Sequence, residues 1–128
     1  MEVGITKALQ LLKIRTFKKY SYRDAVKASV NRPMESEREW VGAFTGWDNT
    51  ARRGKNSIVY DGSTPEIFEN YVKKQLEKSI ESKQEGIVFI NAWNEWAEGA
   101  HLEPDEKYGF KYLEALKNAR IDVQESYE

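Results

Sequence analysis

The stretch Gly86–Asp105 reads GIVFINAWNEWAEGAHLEPD and contains the strongest structural signal in the chain. It opens with the apolar run Ile87–Ile90, which follows a charged segment and a glycine. A short run led by β-branched residues predicts a strand that is buried on both faces, as in a parallel sheet. Amide, carboxylate and indole side chains follow immediately after this run. The predicted strand therefore delivers them at its C-terminal end, where α/β barrels and open α/β sheets build their sites.

Two glutamates in this stretch, Glu95 and Glu98, are the candidate catalytic residues. Their spacing places them on one side of a helical turn, where many such pairs are only solvated surface charge. Trp93 and Trp96 are interleaved with them, and indoles are costly to leave in water and offer flat surfaces for sugar rings. We therefore favour a functional site over surface charge. For Trp93, which lies closer to the strand, a place in the core is the preferred interpretation.

A second strand-like run, Trp40–Phe44, repeats the same order of an apolar segment followed by a polar cluster. Trp47 and Asp48 lie in that cluster. Because both residues follow the end of a predicted strand, we expect them in the same cleft as Trp96 and the glutamates. The sequence Asp-Asn-Thr is also good turn chemistry, so a purely structural role for Asp48 stays open.

Composition limits the classes of function that are open to this chain. It has 128 residues, enough for one domain, and a net charge of −1, which gives no general attraction to nucleic acid or anionic membrane. It has no Cys and one His, which excludes disulfides, thiolate nucleophiles and His-rich or Cys-rich metal sites. No apolar run approaches the ~20 residues of a membrane span. We therefore expect a cytoplasmic protein without cofactor, metal or nucleic-acid partner.

Helices are predicted on either side of the two strands. Each predicted helix shows an apolar stripe along its length, a capping residue before its first turn, or both. The predicted helices cover residues 3–13, 21–30, 64–82 and 108–119. Ser21 and Thr64 are the expected N-caps, and the tail from residue 122 to 128 is expected to fray. Alternation of strands and helices indicates a parallel sheet with crossover helices.

Four motifs stand out along the chain. They are WDNTARR at 47–53, STPEIF at 63–68, FINAWNEWAEGAHLEPD at 89–105, and YG at 108–109 with YLEA at 112–115. Together they closely resemble the C-terminal part of the WbsX-like glycosyltransferases of bacterial surface-polysaccharide clusters. They are also similar to glycoside hydrolase family 99, the endo-α-mannosidases. The similarity covers roughly residues 17 to 119 and is most specific in the NAWNEWAEG–HLEPD block.

The resemblance implies a (β/α)8 barrel of the TIM type, in which Trp40–Phe44 and Ile87–Ile90 would be the last two strands. Such barrels typically contain about 250 residues. Residues 1–128 are therefore expected to be a single partial domain, the C-terminal fragment that holds the last two strand–helix units. Because such a fragment has unpaired sheet edges, we expect it to self-associate or to bind the remainder of the barrel.

The resemblance also implies roles for individual residues. The hydrolase family uses two glutamates of an Asn-Glu-Trp-x-Glu-Gly motif, which fall on Glu95 and Glu98. Glu95 would polarise the sugar 2-hydroxyl, and Glu98 would be the general acid/base. The expected substrate-binding residues are Trp47, Asp48, Asn94, Trp96 and His101. The mannosidases usually have His where this chain has Ala97. This difference argues against assigning the mannosidases' substrate or their hydrolytic reaction to this chain.

Two functions from different classes stay open on the sequence. The first is a carbohydrate-active protein of surface-polysaccharide metabolism (lipopolysaccharide or O-antigen) that transfers or cleaves glycosyl units with a glutamate pair. The chain has no phosphate-cradling glycine loop, so the sequence does not indicate where a sugar donor would bind. The second is a non-catalytic remnant that only associates with partner chains.

Overall fold

The computed structural model describes residues 17–128, so the helix predicted over residues 3–13 lies outside the described range. The strands are β1 (Lys18–Ser21), β2 (Val41–Phe44), β3 (Trp47–Asp48), β4 (Ile58–Asp61), β5 (Val88–Asn91), β6 (Asn94–Glu95) and β7 (Ala100–His101). The helices are α1 (Tyr22–Asn31), α2 (Thr50–Arg53), α3 (Pro65–Glu81) and α4 (Lys111–Tyr127), with 3-10 turns at Gly54–Asn56 and Trp96–Glu98. None of the helices in this range combines the length and apolarity that crossing a membrane requires.

The two strands predicted from apolar runs are neighbours in the structure. β2 and β5 pair in parallel, with Phe44 opposite Asn91, and the long helix α3 lies between them in the chain. A second small sheet has the order β1-β4-β3, in which β1 and β4 are parallel and β3 is antiparallel to β4. Within residues 17–128, β2 and β5 thus have the parallel, helix-crossed arrangement that the sequence predicted.

The predicted burial of the Ile87–Ile90 run on both faces is wrong for this chain. Phe89 is 63% exposed and Ile87 is 40% exposed, whereas Val88 and Ile90 pack against the core. Successive side chains of a strand point to opposite faces, so β5 has one covered face and one open face. In the described part of the chain β5 pairs only with β2, and no further layer covers the face that carries Phe89.

The hydrophobic core lies where α3 and α4 pack together and against α1 and β2. Its buried members are Tyr22, Ala43, Phe68, Tyr71, Val72, Leu102, Tyr112, Ala115 and Ala119. Apolar residues that recur every three or four positions give α3 and α4 the stripes that face each other. Leu102 directly follows β7, at the end of the segment that contains β6 and β7. Its burial anchors this segment in the core.

Both predicted N-caps, Ser21 and Thr64, are confirmed. The backbone N–H of Asp24 donates to Ser21 Oγ at 3.2 Å, and that of Ile67 donates to Thr64 Oγ1 at 3.3 Å. Each bond satisfies one of the four N–H groups that a helix leaves unpaired at its start. Pro65 occupies the first helical position, where its missing N–H costs nothing.

The predicted fraying of residues 122–128 is wrong, since α4 continues to Tyr127. Val123 is buried at 3% exposure, and Asp122 Oδ2 pairs with Lys73 Nζ of α3 at 3.2 Å. These contacts with a distant part of the chain order a segment whose own sequence is polar. The helix also begins at Lys111, three residues later than the prediction.

Three buried tyrosines predict loss of stability at alkaline pH. Tyr22 donates to Phe44 O at 2.5 Å, Tyr71 donates to Ser29 Oγ at 2.8 Å, and Tyr112 OH lies 2.7 Å from Ser63 Oγ. Burial raises the pKa of Tyr112 to about 12 and also raises the pKa of Tyr22 and Tyr71. An unfolded tyrosine titrates near 10. The stability that these groups contribute is therefore complete below about pH 10 and is lost as the pH rises towards 12 and beyond.

We expect the free energy of unfolding, measured by urea denaturation, to be lower at pH 11 than at pH 8. Tyr112→Phe keeps the buried ring and removes the ionisable hydroxyl, so the fall between these pH values should be smaller in that variant. Equal falls in the wild type and the variant would show that Tyr112 does not contribute to the alkaline transition.

The open face of the β2–β5 sheet predicts self-association. Trp40 is 48% exposed and meets Phe89 edge to face at 6.0 Å. Phe89 also borders a groove of about 680 Å³, whose mainly apolar lining continues to Phe44, Tyr60 and Ile90 at the edge of the core. Exposed apolar patches of this kind favour association. We propose that a second copy covers this face in the isolated chain. Phe89→Glu is then expected to shift light-scattering masses towards the monomer, whereas a monomeric wild type at high concentration would contradict the proposal.

Candidate functional site

The loops that follow β2 and β5 meet at the C-terminal edge of the parallel pair. The backbone N–H of Thr45 donates to Asn91 O at 3.3 Å. Gly99 approaches Asp48 so closely that a Cβ on this glycine would lie 3.2 Å from the Asp48 backbone nitrogen. Gly99 also has a φ of +62°, where a side chain would be strained. Glycine is therefore needed at this position for the two loops to come together.

An ion pair joins the two loops at Glu98. Arg52 Nη2 lies 2.5 Å from Glu98 Oε1, and the Glu98 side chain is 13% exposed, against 58% for Arg52. The sequence interpretation had not singled out Arg52, although it belongs to the WDNTARR motif. Its position four residues after Asp48, at the end of the short helix α2, is the signal that could have pointed to it. The ion pair covers the Glu98 carboxylate and turns it towards the first loop.

Asp48 and Asn49 shape the loop that carries Arg52. Asp48 Oδ1 accepts from Thr50 N at 2.9 Å and from Thr50 Oγ1 at 2.7 Å, which closes the turn that leads into α2. Asn49 is buried, and its Oδ1 accepts from Ile58 N of β4 at 2.9 Å. The turn role that the sequence left open for Asp48 is therefore present. Its predicted contact with substrate stays a prediction.

Trp96 is held at one edge and on one face. Its ring stacks on the His101 imidazole with centroids 3.7 Å apart and planes 15° apart. Its Nε1 donates to Glu103 Oε2 at 2.6 Å. Even so, Trp96 is 49% exposed. An indole that is both fixed and half open to solvent can bind an apolar or C–H-rich surface.

His101 is held in turn by Asp105. His101 Nε2 lies 3.1 Å from Asp105 Oδ2, and the backbone N–H of Tyr108 donates to Asp105 Oδ1 at 2.6 Å. Burial acts to raise the pKa of Asp105, but the Tyr108 N–H and the His101 ring outweigh it and hold that pKa below its usual value. Asp105 therefore remains a carboxylate well into acid solution, where it can keep its hold on His101.

A cleft of about 410 Å³ lies between the first loop and the segment after β7. It brings together three of the predicted site residues, which are Trp47, Asp48 and His101. Lys107 and Tyr108 also line it, and the sequence interpretation had not proposed either as a site residue. The other predicted site residues, namely Asn94, Glu95, Trp96 and Glu98, are absent from its lining. The residues predicted to share one cleft are thus at the same end of the sheet, but only Trp47, Asp48 and His101 line this cleft.

The remaining predicted residues lie on a short ribbon. β6 and β7 pair antiparallel, with Asn94 opposite His101 and Glu95 opposite Ala100. Both Asn94 and Glu95 are exposed. Trp93 is 54% exposed, so the expected core position of this indole is wrong. The Trp93 backbone carbonyl instead accepts hydrogen bonds from the backbone N–H groups of residues 102 and 103, which directly follow β7, and these bonds hold the ribbon in place.

The described residues offer no obvious place for a metal ion. Within residues 17–128, no group of three or more His, Asp or Glu side chains is arranged to hold one. The polar groups that the structure brings together are carboxylates, amides, one imidazole and the cations Arg52 and Lys107. This set can donate, accept and transfer protons.

Comparison with known proteins places the chain in a family. The family model described as Glycosyltransferase WbsX matches residues 2–116. A protein of Xanthomonas campestris pv. campestris strain B100, named "Uncharacterized protein WxcX", is 32% identical over 102 residues, which are 78% of this chain and 15% of that protein. Its counterpart in a second strain of the same pathovar is 33% identical over 100 residues, 77% of this chain and 14% of that protein.

The chain spans about 15% of the length of these curated relatives. No solved structure matches it. The family match covers most of the chain and includes both loops at the C-terminal edge of β2 and β5. This chain therefore belongs to the WbsX glycosyltransferase family.

Proposed function

We propose that the chain is part of a carbohydrate-active protein of bacterial surface-polysaccharide metabolism, in which Glu95 and Glu98 carry out the glycosyl chemistry. Family membership supports the carbohydrate class. The observation that carries the site proposal is the ion pair between Arg52 and Glu98, because it joins the loops that follow two neighbouring parallel strands. Sites of α/β enzymes are assembled at that end from separate loops.

We further propose that β2 and β5, with α3 and α4, are the last two strand–helix units of a (β/α)8 barrel. Their parallel pairing supports this, as does the exposed face of β5, which the rest of a barrel would cover. In such a barrel the loops after β2 and β5 would open on the catalytic face. The apolar groove beside Phe89 would then be internal rather than a surface feature.

Glycosyl transfer requires one group that handles the proton of the leaving or attacking oxygen and another that assists at the sugar. Glu98 takes the first role in this proposal and Glu95 the second. Because Arg52 pairs with Glu98 Oε1, it must move aside or share that oxygen when a substrate binds. If Arg52 shares that oxygen, its guanidinium lies beside the reacting group and can stabilise the negative charge that develops on a leaving group.

The test uses the full-length protein and surface polysaccharide from the organism that makes it. Release of new reducing ends would indicate hydrolysis, whereas incorporation of label from a nucleotide-sugar mixture would indicate transfer. If a folded protein that still binds the polysaccharide showed neither hydrolysis nor transfer, that result would contradict the enzymatic proposal.

One observation favours a second candidate function, a protein that binds saccharide without turning it over. Neither Glu95 nor Glu98 lines the cleft that holds Trp47, Asp48 and His101. A protein that only binds saccharide would use that cleft and would leave the glutamates without a chemical task. Saccharide binding that is lost in Trp47→Ala, in a protein whose wild type shows neither hydrolysis nor transfer, would support this candidate.

A further inference from the structure

The indole of Trp96 is held by two specific contacts although half of it is exposed to solvent. It is 49% exposed and therefore contributes less to the core than a buried indole would. Two contacts nevertheless fix it, namely the stack on His101 and the hydrogen bond from Nε1 to Glu103 Oε2. Ordering an exposed side chain costs conformational entropy, so a half-exposed indole with two specific restraints suggests a use other than packing.

The restraint is continuous with the hydrophobic core. His101 Nε2 meets Asp105 Oδ2 at 3.1 Å, and Asp105 Oδ1 accepts the Tyr108 backbone N–H at 2.6 Å. Tyr108 packs edge to face on Tyr112 at 5.5 Å, and Tyr112 is a buried core residue. The folded core therefore sets the position of the Trp96 ring through Asp105 and His101. The hydrogen bond to Glu103 sets the direction in which the indole Nε1 points.

We propose that Glu103 and the His101–Asp105 pair are positioning residues that hold Trp96 as a platform with one open face for a neutral sugar ring. The choice of a sugar rests on the proposed function, whereas the positioning of Trp96 does not depend on it. His101 covers one indole face at stacking distance, which leaves the other face for a ligand. The negative face of an indole attracts the weakly positive C–H groups of a pyranose.

Charge at the platform favours a neutral ring over an anionic one. Glu95 adjoins Trp96 in the chain, Glu103 is bonded to its Nε1, and Asp105 holds the imidazole beneath it. The guanidinium of Arg52 is already paired with Glu98. A sugar carboxylate or phosphate placed on this indole would meet like charge at these contacts, because the other cation of the site, Lys107, lines the cleft from which Trp96 is absent.

The test is NMR spectroscopy of the present chain, in which His101 is the single histidine and the four Trp side chains give few indole signals. In the wild type, the ring current of Trp96 should shift the carbon-bound protons of His101 upfield from their positions in a free peptide. Glu103→Ala should move the Trp96 indole N–H signal upfield and speed its exchange with water. The matched control is Glu106→Ala, an exposed glutamate three residues on, which should leave that signal in place.

Asp105→Asn keeps an oxygen for the Tyr108 N–H and weakens the hold on His101, so the upfield shift of the His101 protons should shrink while the helical circular dichroism stays unchanged. His101 protons at free-peptide positions in the wild type would overturn the proposal. So would a Trp96 signal that responds equally to Glu103→Ala and Glu106→Ala.

Titration with the methyl glycosides of galactose, glucose and mannose tests the ligand separately. We expect millimolar binding that shifts the Trp96 indole signal, at least several-fold weaker binding in Glu103→Ala and Asp105→Asn, and no shift with methyl glucuronide. A stronger response to methyl glucuronide would overturn the choice of a neutral ring. An intact His101–Trp96 stack that no glycoside perturbs would confirm the positioning and count against the carbohydrate function.

Discussion

Replacing Glu98 by Gln in the full-length protein is expected to lower turnover by about 10²- to 10⁴-fold, the usual contribution of a general acid/base. Glutamine keeps the size of the side chain and can still accept from Arg52, so the contact between the two loops should survive. It cannot exchange a proton with a leaving or attacking oxygen. The measurement is the steady-state rate of whichever activity the polysaccharide assay reveals, hydrolysis or transfer.

Glu95→Gln is expected to reduce the same rate, because Glu95 is proposed to act on the sugar 2-hydroxyl. Glu106→Gln is the matched control, since Glu106 is exposed and has no proposed role. Near-normal turnover in Glu95→Gln or Glu98→Gln would remove that residue from the mechanism. Lost activity together with an unfolded protein would instead indicate a structural role.

Phe68→Ala is expected to destabilise the chain by about 3–5 kcal/mol, the usual cost of deleting a buried aromatic ring. Phe68 is fully buried in α3 and packs against Tyr112 of α4 with ring centroids 5.5 Å apart. A domain of this size is stable by only about 5–15 kcal/mol. The variant should therefore unfold at much lower urea concentration than the wild type.

Phe110→Ala makes the same chemical change at a position that is 63% exposed. Surface substitutions usually change stability by about 0.5 kcal/mol or less. Urea denaturation of both variants isolates the effect of burial. If Phe68→Ala cost no more than Phe110→Ala, the α3–α4 contact would not be the centre of the core.

The elements that the sequence predicts best are those set by local chemistry. Ser21 and Thr64 begin their helices because each side chain caps its own first turn. β2 and β5 follow from short apolar runs. The two-residue strands β3, β6 and β7 are too short to show a periodicity, and they exist only through their pairing, β3 with β4 and β6 with β7. Likewise, α4 extends beyond its predicted end because Val123 is buried against another part of the chain.

The candidate site shows the same limit. The spacing of Glu95 and Glu98 suggested one helical turn, whereas the structure puts Glu95 on β6 and Glu98 in a 3-10 turn. The chain order located the two loops that meet, because parallel strands bring their C-terminal ends to one edge. The pairing of Arg52 with Glu98 joins residues far apart in sequence and follows only from the packed structure.

Hydrogen–deuterium exchange of the full-length protein, with and without an oligosaccharide of its surface polysaccharide, tests most directly whether the two loops form one carbohydrate site. Bound saccharide should slow exchange in peptides that cover residues 45–54 and 91–106, and in few others of this region. The helices α3 and α4 should exchange at the same rate in both states. Protection confined to these helices, or protection of one loop without the other, would contradict a shared site at the C-terminal edge of β2 and β5.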